Sequence, residues 1–205
     1  MIAASCRVAA IASGLLSAAG GLRAQLSLHA ALGARYSSAL VHDSIVAPFD
    51  LRPAMAPALA ITATSRTAAP WAAQATFDFS TSSLQRHDAG ATADLGRVST
   101  LAVTVGVQRR LPAGLAAAAR VGGLKYLPAD DTGIFRSGAG GVLALAGAAL
   151  SYAPPGAVAG PWRFGVEARY DMHRFITPAL RAEGFTSGRV VHRIALALEA
   201  GWGAP

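Results

Sequence analysis

From Trp162 to His173 the chain changes character at every residue. Trp162, Phe164, Val166, Ala168, Tyr170 and Met172 are apolar, while Arg163, Gly165, Glu167, Arg169, Asp171 and His173 are charged, small or ionisable. Side chains that alternate with period two stand on opposite faces of an extended strand. A helix would spread both sets around its surface. The segment therefore reads as a strand with an apolar face and a row of charges behind it.

The alternation recurs along the chain. Residues 26–37 set Leu26, Leu28, Leu32 and Tyr36 against Ser27, His29, Gly33 and Arg35. Residues 57–66 set Leu59 and Ile61 against Thr62, Thr64 and Arg66. Residues 71–82 set Trp71, Phe77 and Phe79 against Gln74, Thr76, Asp78 and Ser80. Residues 99–110 set Leu101, Val103, Val105 and Val107 against Thr100, Thr104, Gly106 and Gln108. Residues 115–127 carry Leu115 and Val121 opposite Arg120, and 139–152 form a sixth strand whose phase stays open. Residues 190–202 set Ile194, Leu196, Leu198 and Trp202 against Arg193 and Glu199. With 162–175 this predicts eight strands. Their connections alternate in length: 38–56, 83–98, 128–138 and 174–189 are long, and 67–70, 111–114 and 153–161 are shorter. An up-and-down antiparallel meander gives that rhythm when the long connections gather at one end.

Alternation alone does not say whether the apolar face points out to lipid or in to a core. The aromatic residues decide it. With the short turns placed at the bottom, Trp71, Tyr152, Trp162 and Trp202 fall near the lower rim, and these include all three tryptophans of the chain. Tyr36, Phe79, Tyr126 and Tyr170 fall near the upper rim. Amphipathic rings at two heights suit the two interfaces of a bilayer. The charges agree. Arg35, Arg66, Asp78, Arg120, Arg163, Glu167, Arg169, Asp171, Arg193 and Glu199 all take the non-apolar phase. An arginine facing lipid at mid-depth would cost about 2–4 kcal/mol. The expected fold is all-β, a closed eight-stranded antiparallel transmembrane barrel with a lumen plugged by these charges and trapped water.

Apolar residues make up 53% of the chain and charged ones 14%, well below the roughly 25% of soluble domains. Residues 1–24 read as a signal peptide: Arg7, an apolar run from Val8 to about Leu22, and Ala24 before the expected cut. Residues 25–205 are then the barrel domain. The one cysteine, Cys6, precedes the apolar run, which rules out a lipid attachment there and any disulfide within the chain.

The mature region resembles the small eight-stranded outer-membrane barrels of the OmpA/OmpX type. The likeness covers residues 26–202 and rests on architecture. The last strand, "IALALEAGW", resembles the terminal strand by which the barrel-assembly machinery recognises its clients. The resemblance implies an outer-membrane location, lipid and lipopolysaccharide as surroundings, and a monomer without a periplasmic domain.

Eight strands leave an interior that side chains fill, so function is expected in the long loops, as surface structure, adhesion or ligand binding. Two alternatives remain open at this point. A soluble periplasmic carrier would turn the same alternation inside out. A lipid A-modifying enzyme would need a nucleophile and base, and Ser38 with His192 is the pair on offer; no acid stands beside His192, so no catalytic residue is assigned. His29, His42, His87, His173 and His192 show no ligand spacing, and neither metal nor cofactor is expected. Residues 25–205 carry sixteen basic and eleven acidic side chains, yet the loops balance seven arginines against seven acids. The excess belongs to the strands and rims. A nucleic-acid partner is not indicated, and the lumen or the lower rim at Arg109 and Arg110 is expected to be electropositive.

Overall fold

The computed structural model describes residues 25–43, 49–66, 69–88 and 90–202, apart from the side chains of Gln25, Asp43 and Arg66. The segment 1–24, expected as a signal peptide, lies outside these residues. The strands in chain order are β1 (Gln25–Ser37), β2 (Val41–Asp43), β3 (Phe49–Pro53), β4 (Ala56–Arg66), β5 (Trp71–Asp88), β6 (Ala91–Arg110), β7 (Leu115–Pro128), β8 (Leu143–Tyr152), β9 (Val158–Ala159), β10 (Trp162–Phe175) and β11 (Arg189–Trp202). One short helix, α1, spans Pro178–Ala182.

Eight of these strands form a ring in the order β1, β4, β5, β6, β7, β8, β10, β11. Every pairing is antiparallel. The ring closes where β11 returns to β1, from Leu28 opposite Trp202 to Ser37 opposite Arg193. Closure leaves no free edge within the bilayer, which a sheet in hydrocarbon requires.

The apolar phase faces out. Leu26, Leu32, Val103, Val121, Leu196 and Leu198 are exposed, and Leu198 is 72% accessible. Arg35, Arg120, Arg169, Asp171 and Arg193 are buried on the opposite phase. A soluble carrier would need the reverse arrangement, so that alternative is contradicted. β8 resolves the open phase of the sixth strand: Leu145 points in, while Ala144, Ala148 and Leu150 point out.

The upper end departs from the expected loops. Residues 83–98 are not a connection: β5 and β6 run on to Asp88 and Ala91, with a register shift between Ser83 and Gln85. Within 38–56 the short strands β2 and β3 add to the flank of β5. The result is a crown of sheet above the barrel. No lipid surrounds it, so no apolar row marks these strands. Residues 128–138 remain a loop with a 3-10 turn at Gly133–Phe135, and 174–189 carry α1. At the lower end, the turn after β6 needs a left-handed backbone at Ala113 (φ 61°) and Gly114 (φ 80°). Glycine suits the second position, because a Cβ there would stand 2.2 Å from the Ala153 carbonyl.

Candidate functional site

The barrel interior is built from a simple rule of sizes. Large inward residues have a small one beside them on a neighbouring strand. One register row runs Arg193, Asp171, Gly147, Arg120, Gly106. Arg35 and Arg169 flank Ala195 in another. Asp78 sits between Ala60 and Ala102. Alanine and glycine give each long charged side chain the room to cross the lumen, whose width in an eight-stranded barrel leaves none to spare.

Asp78 is the hub. Arg35 makes a bidentate pair with it, one arm donating from Nη1 to Oδ1 at 2.6 Å. Arg169 Nη1 lies 3.3 Å from Oδ2, and Arg193 Nη2 lies 3.6 Å from Oδ1. These partners come from β5, β1, β10 and β11, so one carboxylate ties opposite walls together. Arg169 also grips Glu167, at 2.6 and 2.5 Å. Arg120 donates to Asp171 at 3.1 and 2.8 Å. Arg193 donates to Thr100 at 3.1 Å, and Thr100 bonds Ser80 at 2.9 Å. Hydrogen-bonded pairs of this kind offset the desolvation of groups that would otherwise be costly to bury.

Two of the ten expected lumen charges behave differently, and the side chain of another, Arg66, lies outside the described residues. Glu199 pairs with His29 at 2.5 Å rather than with an arginine. Gly201, opposite His29, makes that possible: a Cβ there would lie 2.7 Å from the imidazole. Arg163 has the inward phase but lies exposed at the lower rim, outside the network. Among the described side chains the lumen thus holds four arginines (35, 120, 169, 193) against four acids (78, 167, 171, 199), and their formal charge balances. An electropositive lumen is not what forms. The lower half is a small polar space of about 30 Å³ bounded by His29, Thr64, Gln74, Ser151 and Glu199.

Above the charges sits a second layer that sequence reasoning missed. Leu40, Leu51, Leu84, Leu124, Phe135, Phe175, Leu180 and Val191 form one buried apolar cluster. Tyr126 belongs to it. Expected at the upper interface, it instead points inward and is 2% accessible. Its ring meets Phe175 edge-on at 5.1 Å, and its hydroxyl bonds His173 Nε2 at 3.0 Å. The signal was available, because Tyr126 stands six residues from inward-facing Arg120. The side chains that fill the interior are therefore polar in the middle of the barrel and apolar at its upper end. Thr177 fixes the loops above it: its Oγ1 accepts from the Leu180 amide that opens α1, at 3.3 Å, and donates to the Ile134 carbonyl at 2.7 Å.

The interface aromatics Tyr36, Trp71, Tyr152, Trp162, Tyr170 and Trp202 are all exposed on the outer wall, and Phe79 is half-buried on the same phase. Trp162 and Trp202 face each other across β10 and β11. His192 Nδ1 bonds the Tyr170 hydroxyl at 2.7 Å, and Ser38 Oγ accepts from the backbone amide of His192 at 3.0 Å. The two side chains of the candidate dyad are thus engaged elsewhere. In the crown, His42 pairs with Asp50 at 2.7 Å and Arg52 with His87 at 3.1 Å. No metal-holding cluster of three acidic, histidine or cysteine side chains exists among the described residues.

No family model and no curated protein matches the sequence. Solved structures do. The outer membrane protein OprG from Pseudomonas aeruginosa superposes with a TM-score of 0.51 at 10% identity, covering 88% of this chain and 97% of that one. The outer membrane protein AlkL, solved in lipid bilayers, gives 0.51 at 12%, covering 89% and 92%. Neisserial surface protein A gives 0.50 at 12%, covering 86% and 96%. At such identities the likeness speaks for fold. Joined to the apolar outer wall and the two aromatic levels, it makes this chain a closed eight-stranded transmembrane β-barrel with the fold of the small outer-membrane barrel proteins.

Proposed function

We propose that the chain is a non-conducting outer-membrane barrel that acts through its external crown, in adhesion or ligand recognition, without enzymatic chemistry or a cofactor. The observation that carries this reading is the double seal. The Asp78 hub crosses the lumen, and Phe135, Phe175 and Leu180 pack above it, which supports a path closed to ions. What remains accessible is the crown. Six residues of β5 beyond Ser82 rise about 20 Å at strand spacing, and β2 and β3 stiffen one side through Asp50 opposite His87 and Leu51 opposite Arg86. Arg86 stacks over Phe49, 4.6 Å from its centroid. A stiff, mixed polar and aromatic surface held clear of the membrane suits contact with another surface. Lipid and lipopolysaccharide would surround the wall, the assembly machinery would read the last strand, and the barrel would work as a monomer.

Planar-bilayer recording and adherence of barrel-displaying cells to cultured epithelial cells test the reading together. The expected results are no step conductance, and a marked loss of adherence when residues 84–95 are replaced by a short turn with the heat-shift of the barrel retained. Stable conductance steps, or equal adherence of the two forms, would overturn it.

A further inference from the structure

The charge excess has a single address. With the extracellular segments and the lumen each balanced, the net charge of +5 left over residues 25–205 is Lys125 plus Arg66, Arg109, Arg110 and Arg163. The four arginines all sit at the periplasmic ends of strands, in β4, β6 and β10. No acidic residue lies in the periplasmic turns or at the strand ends that flank them.

Arg109 follows Val103, Val105 and Val107 on the lipid-facing phase of β6, and is exposed. It lies opposite Trp71 on β5, with its guanidinium 5.4 Å from the indole centroid. That ring holds the cation at the height of the lower interface. On the other side of Arg109 comes Ala117 of β7, and next to it Leu150 of β8. Leu150 lines an apolar groove of about 560 Å³ in the outer wall, together with Leu115, Tyr152, Val166, Leu196 and Leu198, over a floor that includes Ala168. One strand spacing, roughly 5 Å, separates the Arg109 strand from Leu115 of β7, where the groove begins. Arg163, on the opposite phase of β10, is exposed at the rim three residues below Val166.

We infer that this is a seat for one anionic glycerophospholipid of the periplasmic leaflet. An acyl chain lies in the groove, and the headgroup phosphate lies at its lower end beside Arg109, with Arg163 at the rim beneath. Charge complementarity names the occupant: the groove is largely apolar and membrane-facing, the Glu167 that also lines it gives its carboxylate to Arg169 in the lumen, the charges exposed at its lower end are cations, and an anionic headgroup matches both. A zwitterionic lipid would bring an ammonium group into the same cationic rim. The seat is independent of what the crown recognises.

The three tryptophans, all at this end, make the test. The purified barrel is reconstituted into phosphatidylcholine vesicles, and its fluorescence is quenched with brominated phosphatidylglycerol or brominated phosphatidylcholine. Phosphatidylglycerol should bind next to the tryptophans with about fivefold preference per engaged arginine. Arg109→Gln with Arg163→Gln should bring the ratio to about one, and Ala168→Phe, which fills the groove, should lower it. Arg174→Gln with Arg181→Gln, at the opposite end, should leave it unchanged. A heat-shift gel selects folded variants. Equal quenching by the two lipids in the unaltered barrel would overturn the proposal. So would a ratio that survives the Arg109/Arg163 change, or one untouched in Ala168→Phe, since a diffuse ionic cloud needs no groove.

Discussion

Asp78 and Arg193 are both buried in the lumen, yet their removal should have opposite consequences. Asp78 faces three guanidinium groups, from Arg35, Arg169 and Arg193. Taking away its charge leaves cations without a counter-ion, and breaking a buried pair in that way costs about 3–5 kcal/mol. Asp78→Asn should therefore lower the urea midpoint for unfolding from vesicles strongly. Arg193 is the more loosely held member: its nearest carboxylate oxygen is 3.6 Å away, and Arg35 competes for the same carboxylate. Arg193→Met keeps the volume and removes a buried charge, which is often neutral or stabilising. An unchanged or raised midpoint is expected, and a loss as large as that of Asp78→Asn would refute the ranking. Gly147 tests the size rule directly. A Cβ there would stand 2.1 Å from Asp171 Oδ1. Gly147→Ala must push Asp171 away from Arg120, and a loss of about 1–3 kcal/mol is expected for such overpacking. Gly147→Ala in an Asp171→Ser background should cost less, which a double-mutant cycle reads out; the part that persists belongs to the Tyr170 carbonyl oxygen, 2.6 Å from the same Cβ.

Among the elements, the strands inside the bilayer were legible and those above it were not. Residues 26–37 and 162–175 declare their phase because lipid on one side demands Leu, Val and Trp while the lumen demands Arg and Asp. From Ser83 to Asp88 that contrast disappears, because both faces of β5 meet water or other protein. Leu84 is the one buried residue of that stretch, too little to reveal a strand. The lumen charges could be read from phase alone, but their partners could not, since register decides whether Glu199 meets His29 or an arginine. The outer apolar layer was hidden for a similar reason. Phe135 and Leu180 come from connections, where no periodicity marks the buried positions. α1 is the weakest element of this layer: five residues long, it depends on its cap and its packing. Thr177→Ala removes a cap and the bond to Ile134 at once, and a loss of about 1 kcal/mol is expected for the cap. Hydrogen exchange should quicken at Leu180 and Arg181 while the amides of β10 stay protected. Equal exchange in both forms would mean that packing of Leu180 alone holds the helix.

At the scale of the whole molecule, the charged and apolar layers lie in series along one axis, and the proposal that both are seals fixes what their removal should do. An ion must pass the apolar layer around Phe135 and Leu180 and then the charged layer around Asp78. Conductance through resistances in series is governed by the larger one, so opening either layer alone changes little. Phe135→Ala with Leu180→Ala thins the apolar cap but leaves Arg35, Arg169 and Arg193 across the lumen. Arg35→Ser with Asp78→Ser removes a matched pair without leaving either charge alone, but the cap still excludes water. Each double variant should therefore record as silent in planar bilayers, like the unaltered barrel. The four changes together should give step conductance, provided that the protein still migrates faster unheated than boiled, as a closed barrel does. With both layers opened, the lumen keeps three arginines (120, 169, 193) against three acids (167, 171, 199), and the charge that selects ions is that of the periplasmic rim, where four arginines meet no acid. The opened pore should accordingly favour anions. Adding Arg109→Gln and Arg163→Gln should reduce that preference without changing the number of steps. Conductance from the cap variant alone would show that the charged layer is leaky and that the apolar mouth is the sole gate. Silence of the fourfold variant in a heat-shifting barrel would show that the wall itself closes the lumen, with the small polar space at its base leading nowhere.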